Sequence, residues 1–393
     1  MVSPWNAKAA LWIKGRKKFP SVDKKNKQTV WMHCASLGEF EQGRPLLESI
    51  KKEYPNISIV LTFFSASGYE IMKGYKGADY IFYLPMDGKV NAKKMIDAIQ
   101  PSLVLWVKYE FWYYYLMEFK NRKIPVLMVS GIFREGQPFF KWYGGIWKKM
   151  LDCFTHFFVQ NEECRNLLAE TGLTKNVSVS GDTRFDRVIE IAEKMEPLPL
   201  IENFCGSSKV IVAGSTWQED EEELVHYVKA NPKIKFIIAP HEIDADNLKD
   251  IKKEFPGSVF YSALNNDPPT ENVLIIDNIG MLSRLYHYAH ITFVGGGFGS
   301  NGIHNVLEAA VYGKPVICGP TYNKFAEAVE LIECGAGTTV GNALELEKIL
   351  NELWDDEKLL QAKSKAAKNY VYEKAGATKK ILCYIQANLL LTS

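Results

Sequence analysis

Cysteine is sparse and scattered in this sequence: seven in 393 residues (Cys34, Cys153, Cys164, Cys205, Cys318, Cys334 and Cys383), odd in number and never spaced as CxxC. That argues against a disulfide framework and a zinc ribbon, and favours a reducing, cytosolic setting. No run of about 18 consecutive apolar residues occurs, so the sequence as given does not read as bilayer-spanning. The N-terminus lacks the charged-then-apolar pattern of a signal peptide. With no HExxH and no clustered His and Cys, a metal site has no support. Low-complexity tracts and internal repeats are missing too, which removes disorder and solenoid architectures as readings. Net charge is almost nil, at +1.

That small sum hides an asymmetry. Residues 1–190 hold 28 Lys and Arg against 19 Asp and Glu, a balance of +9, which leaves −8 for the remainder. The first half is therefore expected to face something anionic.

Composition is that of a globular chain, 47% hydrophobic and 24% charged, and at roughly 100 to 200 residues per domain the length implies two cores. Short apolar runs at 29–34, 57–63, 103–107, 125–129, 156–160 and 177–180 read as buried strands separated by amphipathic stretches. Such alternation points to βαβ units and a parallel sheet covered on both faces. The periodicity breaks at 194–208, KMEPLPLIENFCGSS, and restarts with strands near 209–213, 235–239, 273–276, 291–294 and 315–318. This gives an N-terminal domain over 1–194, a linker at 195–208 and a C-terminal domain over 209–393, whose last helix is free to pack back on the first. Ligands of such sheets bind beyond the carboxyl ends of the strands, so chemistry is sought in those loops and in the cleft between domains.

The first strand runs into Ser36-Leu37-Gly38-Glu39 at the start of an amphipathic stretch. Ser36 and Glu39 form a capping-box pattern. Glu39 at a positive helix end is also placed to serve as a carboxylate base, with Gly38 admitting a substrate close to the backbone. The late loop Gly295-Gly296-Gly297-Phe298-Gly299-Ser300-Asn301-Gly302 offers backbone amides to a phosphate. A dinucleotide fingerprint is excluded because no acidic residue stands at the spacing that a ribose needs. A helix is expected from near His304, placing His304, Asn305 and Glu308 on one face with Glu308 able to accept from two ribose hydroxyls.

Gly214-Ser215-Thr216 and Pro240-His241-Glu242 follow two further strands and can donate to a phosphate or base, although a Gly-Ser-Thr turn is by itself a weak signal. The acidic cluster 219–223 reads as a helix start, and Asp244-x-Asp246 as a cap rather than a cation pair. Aromatic and basic residues interleave at 139–149, and residues 1–28 carry eight Lys and Arg beside Trp5, Leu11, Trp12 and Ile13. Such segments suit a membrane surface with anionic headgroups. Nucleic acid is the lesser alternative, since no recognised module surrounds them.

Taken together and in order, His33-x-x-Ser36-x-Gly38-Glu39, the pair Glu110 and Trp112, Gly214-Ser215-Thr216, the run from Val294-Gly295-Gly296 through Gly302-Ile303-His304-Asn305-Val306-Leu307-Glu308, and Gly313-Lys314-Pro315-Val316 with Gly319-Pro320 resemble the Kdo transferases. These are bacterial enzymes that add 3-deoxy-D-manno-octulosonic acid (Kdo) to a lipid A precursor. The resemblance implies a GT-B glycosyltransferase, α/β, with two Rossmann-like doubly wound domains facing each other across a cleft. It implies inverting transfer from CMP-Kdo with CMP as leaving group, and neither cofactor nor metal.

By position the resemblance makes Glu39 the general base and puts Ser36, Gly38, Lys108 and Glu110 on the acceptor side. It puts Arg184, Gly214, Ser215, Thr216, His241, Gly296, Gly297, Asn301, His304, Asn305 and Glu308 on the donor side. The implied partners are CMP-Kdo, a lipid A precursor and the cytoplasmic face of a bacterial inner membrane, without nucleic acid. The implied location is peripheral at that face, with room for an N-terminal anchor outside this sequence.

The sequence departs from the family at Lys108, often a glutamate there, at Tyr113-Tyr114, and at His241-Glu242, where the family shows Arg-His. Arg184 replaces a lysine and keeps its charge. Another GT-B enzyme, acting on a UDP-sugar or epimerising a sugar nucleotide, and a non-catalytic nucleotide or membrane binder stand as the alternatives.

Overall fold

Runs such as SIVLTF, LVLWV and VLMVSG are apolar at nearly every position, and a strand of that kind is stable only where both faces are covered. In the computed structural model, which describes residues 7–16, 19–23, 27–108, 110–267, 269–300 and 302–392, they form the middle of a parallel sheet. Its strands are β1 (Thr29–Cys34), β2 (Ser58–Phe63), β3 (Tyr80–Tyr83), β4 (Leu103–Val107), β5 (Val126–Gly131), β6 (His156–Val159) and β7 (Val177–Val179), ordered β3-β2-β1-β4-β5-β6-β7. Side chains alternate between faces along each strand. Trp31 and Trp106 enter one core, with Tyr115 and Phe119, while Val30, Met32 and Leu105 enter the opposite one.

A second parallel sheet repeats the plan with β8 (Val210–Thr216), β9 (Lys235–Pro240), β10 (Ser258–Phe260), β11 (Val273–Ile275), β12 (Ile291–Val294), β13 (Val316–Cys318) and β14 (Gly337–Thr339). Its order is β10-β11-β9-β8-β12-β13-β14. The pattern missed β3, β10 and β14. All three lie at sheet edges, are three or four residues long and bury only part of their side chains, so they carry a weaker signal than the interior strands, even β3 with its short run YIFY.

The compact units divide elsewhere than at 195–208. The first comprises residues 1–187 and 375–393, and the second comprises 188–374. Instead of a linker, 199–205 is a helix, Pro199–Cys205, with proline at its start and Ile201, Phe204 and Cys205 buried. The chain leaves the first unit within the helix Thr183–Glu193 and re-enters it for the final helix, Ala377–Ala387, whose Ile381 and Ile385 join the Met32 core. Asp186 ties that return down. Its carboxylate accepts from the backbone N–H of Gly376 at 2.5 Å and of Thr378 at 2.6 Å, capping a helix whose own N-cap residue is a glycine.

Candidate active site

The chain crosses from one half of each sheet to the other between β1 and β4 in the first and between β8 and β12 in the second. Loops leaving neighbouring strands diverge there and leave room for a ligand. The loops after β1 and β4 carry Ser36 to Glu39 and Lys108 to Glu110. Those after β8 and β12 carry Ser215 to Trp217 and the glycine-rich run.

In the first unit the helix Leu37–Glu53 starts at Ser36, whose Oγ accepts from Glu39 N at 3.5 Å, while the Glu39 carboxylate accepts from the Ala35 N–H. One side chain thus closes the capping box at the carboxyl end of β1. Glu39 is only 6% exposed, and burial raises its pKa, held back by the Ala35 N–H and the charge of Lys108. Glu110, half-buried, is pushed up to about 7 by burial and by the charge of Glu39. A charged Glu39 thus makes Glu110 harder to ionise.

The loop of Glu110 is held by an indole and by its own backbone conformation. Trp106 Nε1 donates to Glu110 O at 2.5 Å, and Lys108 adopts φ +64. Lys108, Ser130 (φ +51) and Ser215 (φ +53) all hold the left-handed conformation at strand carboxyl ends. A non-glycine residue persists there only where its surroundings impose it.

Behind Glu39 lies a buried polar network that the motif reading passed over. Gln42 Nε2 donates to both carboxylate oxygens of Asp182 at 3.0 Å, Thr183 Oγ1 donates to Gln42 O, and Ser130 Oγ lies 2.9 Å from Thr183 Oγ1. Arg184 binds Asp182 through Nε at 2.9 Å and a terminal nitrogen at 2.8 Å. Burial alone would raise Asp182, but Arg184 and Gln42 outweigh it and hold the carboxyl below its usual range. Arg184 therefore belongs to the first unit, engaged with Asp182, and not to the second unit with the other donor-side residues. His33, wholly buried, sets Nδ1 2.9 Å from Thr62 Oγ1 and is held down to about 3 by burial, so it is a neutral core group.

In the second unit the glycines serve close approach. Gly296 has φ +89, and a Cβ on Gly297 would sit 2.7 Å from the backbone N of Gly319. The amide cradle expected here is partly spent inside the protein. Gly296 N–H donates to the buried carboxylate of Asp220 at 2.7 Å, and Gly295 N–H to Gly214 O at 2.9 Å. Asp220 also accepts from Trp217 N at 2.9 Å, so the acidic cluster that reads as a helix start also clamps the glycine loop. Thr216 Oγ1 donates to Glu221 at 2.7 Å and Gly214 is buried, which leaves Ser215 as the partly exposed member of that triplet.

The helix expected from His304 begins at Leu307 and is four residues long. His304 and Asn305 precede it in a loop that follows Gly302 at φ +86 and is held by the His304 N–H on Gly295 O at 3.0 Å. His304 turns back to Trp217, while Asn305 reaches Glu308, with Nδ2 3.0 Å from Oε1. His241 is exposed and stacks on both Trp217 and His304. Asp244 caps the helix Ala245–Glu254 through the N–H groups of Asp246 and Asn247, as its spacing implied. Asn301 and Trp5 lie outside the described residues.

Residues 12–187 match the family model of 3-deoxy-D-manno-octulosonic-acid transferase (kdotransferase). The chain is 29% identical over 358 residues to the 3-deoxy-D-manno-octulosonic acid transferase of Aquifex aeolicus, covering 88% of this chain and 92% of that one. The chain is thus similar to the Kdo transferases, whose family model matches its first half. It is also 31% identical over 359 residues to a bifunctional glycosyltransferase/methyltransferase of Fusobacterium nucleatum, of whose length it spans 55%. The UDP-GlcNAc 2-epimerase of Neisseria meningitidis bound to UDP-GlcNAc superposes with a TM-score of 0.66 at 18% identity, over 92% of this chain and 100% of that one. That likeness speaks for the fold, GT-B with two Rossmann-like domains. The match to the family model spans Glu39, Glu110 and Arg184.

Proposed function

We propose that the protein is an inverting glycosyltransferase that moves Kdo from CMP-Kdo to a glucosamine hydroxyl of a lipid A precursor, in lipopolysaccharide core biosynthesis. The observation that carries this reading is Glu39: a buried carboxylate at a strand's carboxyl end and a helix's start, in a segment that matches the Kdo transferase model. In the proposed step Glu39 takes the proton of the acceptor hydroxyl, whose oxygen forms the bond to the anomeric carbon of Kdo. The bond from that carbon to the phosphate oxygen breaks, and CMP leaves with the electron pair. Lys108 offsets the charge of the acceptor side, and Glu110, coupled to Glu39, shapes it. Asn305 orients Glu308 toward the ribose hydroxyls of the donor. The developing charge on CMP needs oriented donors, and Ser215 and His304 supply them. Neither cofactor nor metal enters this scheme.

The same reading puts the protein peripherally at the cytoplasmic face of the inner membrane. Trp142 is 97% exposed, beside exposed Tyr143, Ile146, Lys148 and Lys149, a knob suited to anionic headgroups. Among the described residues no helix is long and apolar enough to cross a membrane. The fold likeness raises a UDP-sugar enzyme as the second reading. Calorimetric titration with CMP and with UDP, in chelator, separates the two: CMP binding without UDP binding supports the CMP-Kdo donor, and preferential UDP binding contradicts it.

A further inference from the structure

Trp217 follows β8, and its indole Nε1–H lies 3.0 Å from His304 Nε2. An indole N–H can only donate, so Nε2 must present its lone pair, and the proton of a neutral ring then sits on Nδ1. The ring's position agrees. Its Cδ2–Nε2 edge overlies Gly296, where a Cβ would come 2.9 Å from Cδ2 and 3.3 Å from Nε2. His241 covers a face, with ring centroids 4.4 Å apart and planes 26° from parallel, and also stacks on Trp217 at 4.6 Å. Nδ1 has no hydrogen-bond partner among the described residues.

We infer that Trp217 is a positioning residue that locks His304 in the Nδ1–H tautomer, so that His304 donates a hydrogen bond to an anionic oxygen, phosphate or carboxylate, of the sugar nucleotide held by the glycine loop. The inference rests on the donor reading above for its ligand, but not for its tautomer. Asp220 joins the parts, because one carboxylate oxygen holds both the Trp217 and the Gly296 N–H groups and so fixes the indole and the loop together. Burial and the neighbouring His241 hold the His304 pKa down to about 4, so at neutral pH the ring is an uncharged donor. This arrangement differs from an arginine contact: the hydrogen bond is directional and the site gains no charge.

The test is ¹⁵N-histidine NMR on the whole chain, whose seven histidines allow His304 to be assigned from the His304→Gln spectrum. In the wild type at pH 7.5 the expected signal has a protonated Nδ1 and a bare Nε2. Trp217→Phe keeps a ring for stacking and removes the N–H; the expected result is a tautomer mixture, and a KM for the donor raised about tenfold, the loss of one hydrogen bond, with kcat changed far less. A bare Nδ1 or a cationic ring in the wild type overturns the inference, as does a Trp217→Phe spectrum identical to the wild type. The wild-type spectrum decides the tautomer even where the variant does not fold.

Adding CMP and then CMP-Kdo separates the two oxygen sources. A shift of the Nδ1 proton with CMP assigns phosphate, and a shift with CMP-Kdo alone assigns the sugar carboxylate. Calorimetric binding of both without any shift overturns the ligand role. No binding of either overturns the donor reading itself and leaves the tautomer standing.

Discussion

Glu39 and Glu110 in the first unit, and Ser215 to Trp217 with Gly295 to Gly302 in the second, occupy equivalent places, in loops that leave the two strands flanking the crossing between the halves of each sheet. What fills those places differs. The first unit brings together a buried carboxylate, Glu39, and a half-buried one, Glu110, which feels its charge. The second brings backbone against backbone, with a buried aspartate holding the loop amides and a stack of indole and imidazoles beside them. One site is sensitive to charge and the other to volume. Substitutions that change one property at a time should therefore act on one unit and spare the other.

The largest effect is expected at Glu39. Glu39→Gln keeps the shape and the Ala35 contact but removes the base, and turnover should fall about 100-fold to 10,000-fold; steady-state kinetics checks this, with CMP affinity by calorimetry nearly unchanged. Next comes volume in the second unit. Gly297→Ala forces a Cβ onto the Gly319 backbone and should cost about 1 to 3 kcal/mol in urea unfolding, together with CMP affinity, while Glu39 keeps its environment.

A subtler probe uses pH. Glu221, buried against Thr216, is raised to about 7, so between its ordinary value of 4.5 and that point the folded chain keeps a proton that the unfolded chain has lost. Its contribution to stability therefore falls as pH rises through that window. Glu221→Gln retains an acceptor for Thr216, and its urea midpoint should match the wild type near pH 4 and exceed it at pH 8. The smallest change in stability is expected at Trp142. Trp142→Ala should leave unfolding within about 0.5 kcal/mol but weaken sedimentation with anionic vesicles, and added salt should weaken the remainder.

The interior strands were legible because five or six consecutive apolar residues leave no other place to go, as in Leu103–Val107. Glu39 was legible because its cap partner lies three residues away. The residues that support the two sites were not, since their partners are remote in sequence: Gln42 meets Asp182 140 residues on, and Asp220 meets Gly296 76 residues on. A signal existed in both cases. Gln42 falls on the buried face of its helix beside Leu46, and Asp220 stands at the position where a helix-capping carboxylate turns inward. The domain boundary misled for a related reason. Prolines at 197 and 199 read as a linker, whereas Pro199 opens a helix whose apolar face is covered.

The most direct test of the account is to incubate the protein with freshly made CMP-Kdo and a tetraacylated lipid A precursor in the presence of chelator, and to follow the lipid by mass spectrometry. The account predicts a lipid heavier by one or more Kdo masses, formed by the wild type and not detectably by Glu39→Gln over the same time. An unchanged lipid with CMP still bound, or equal product from the variant, would contradict it.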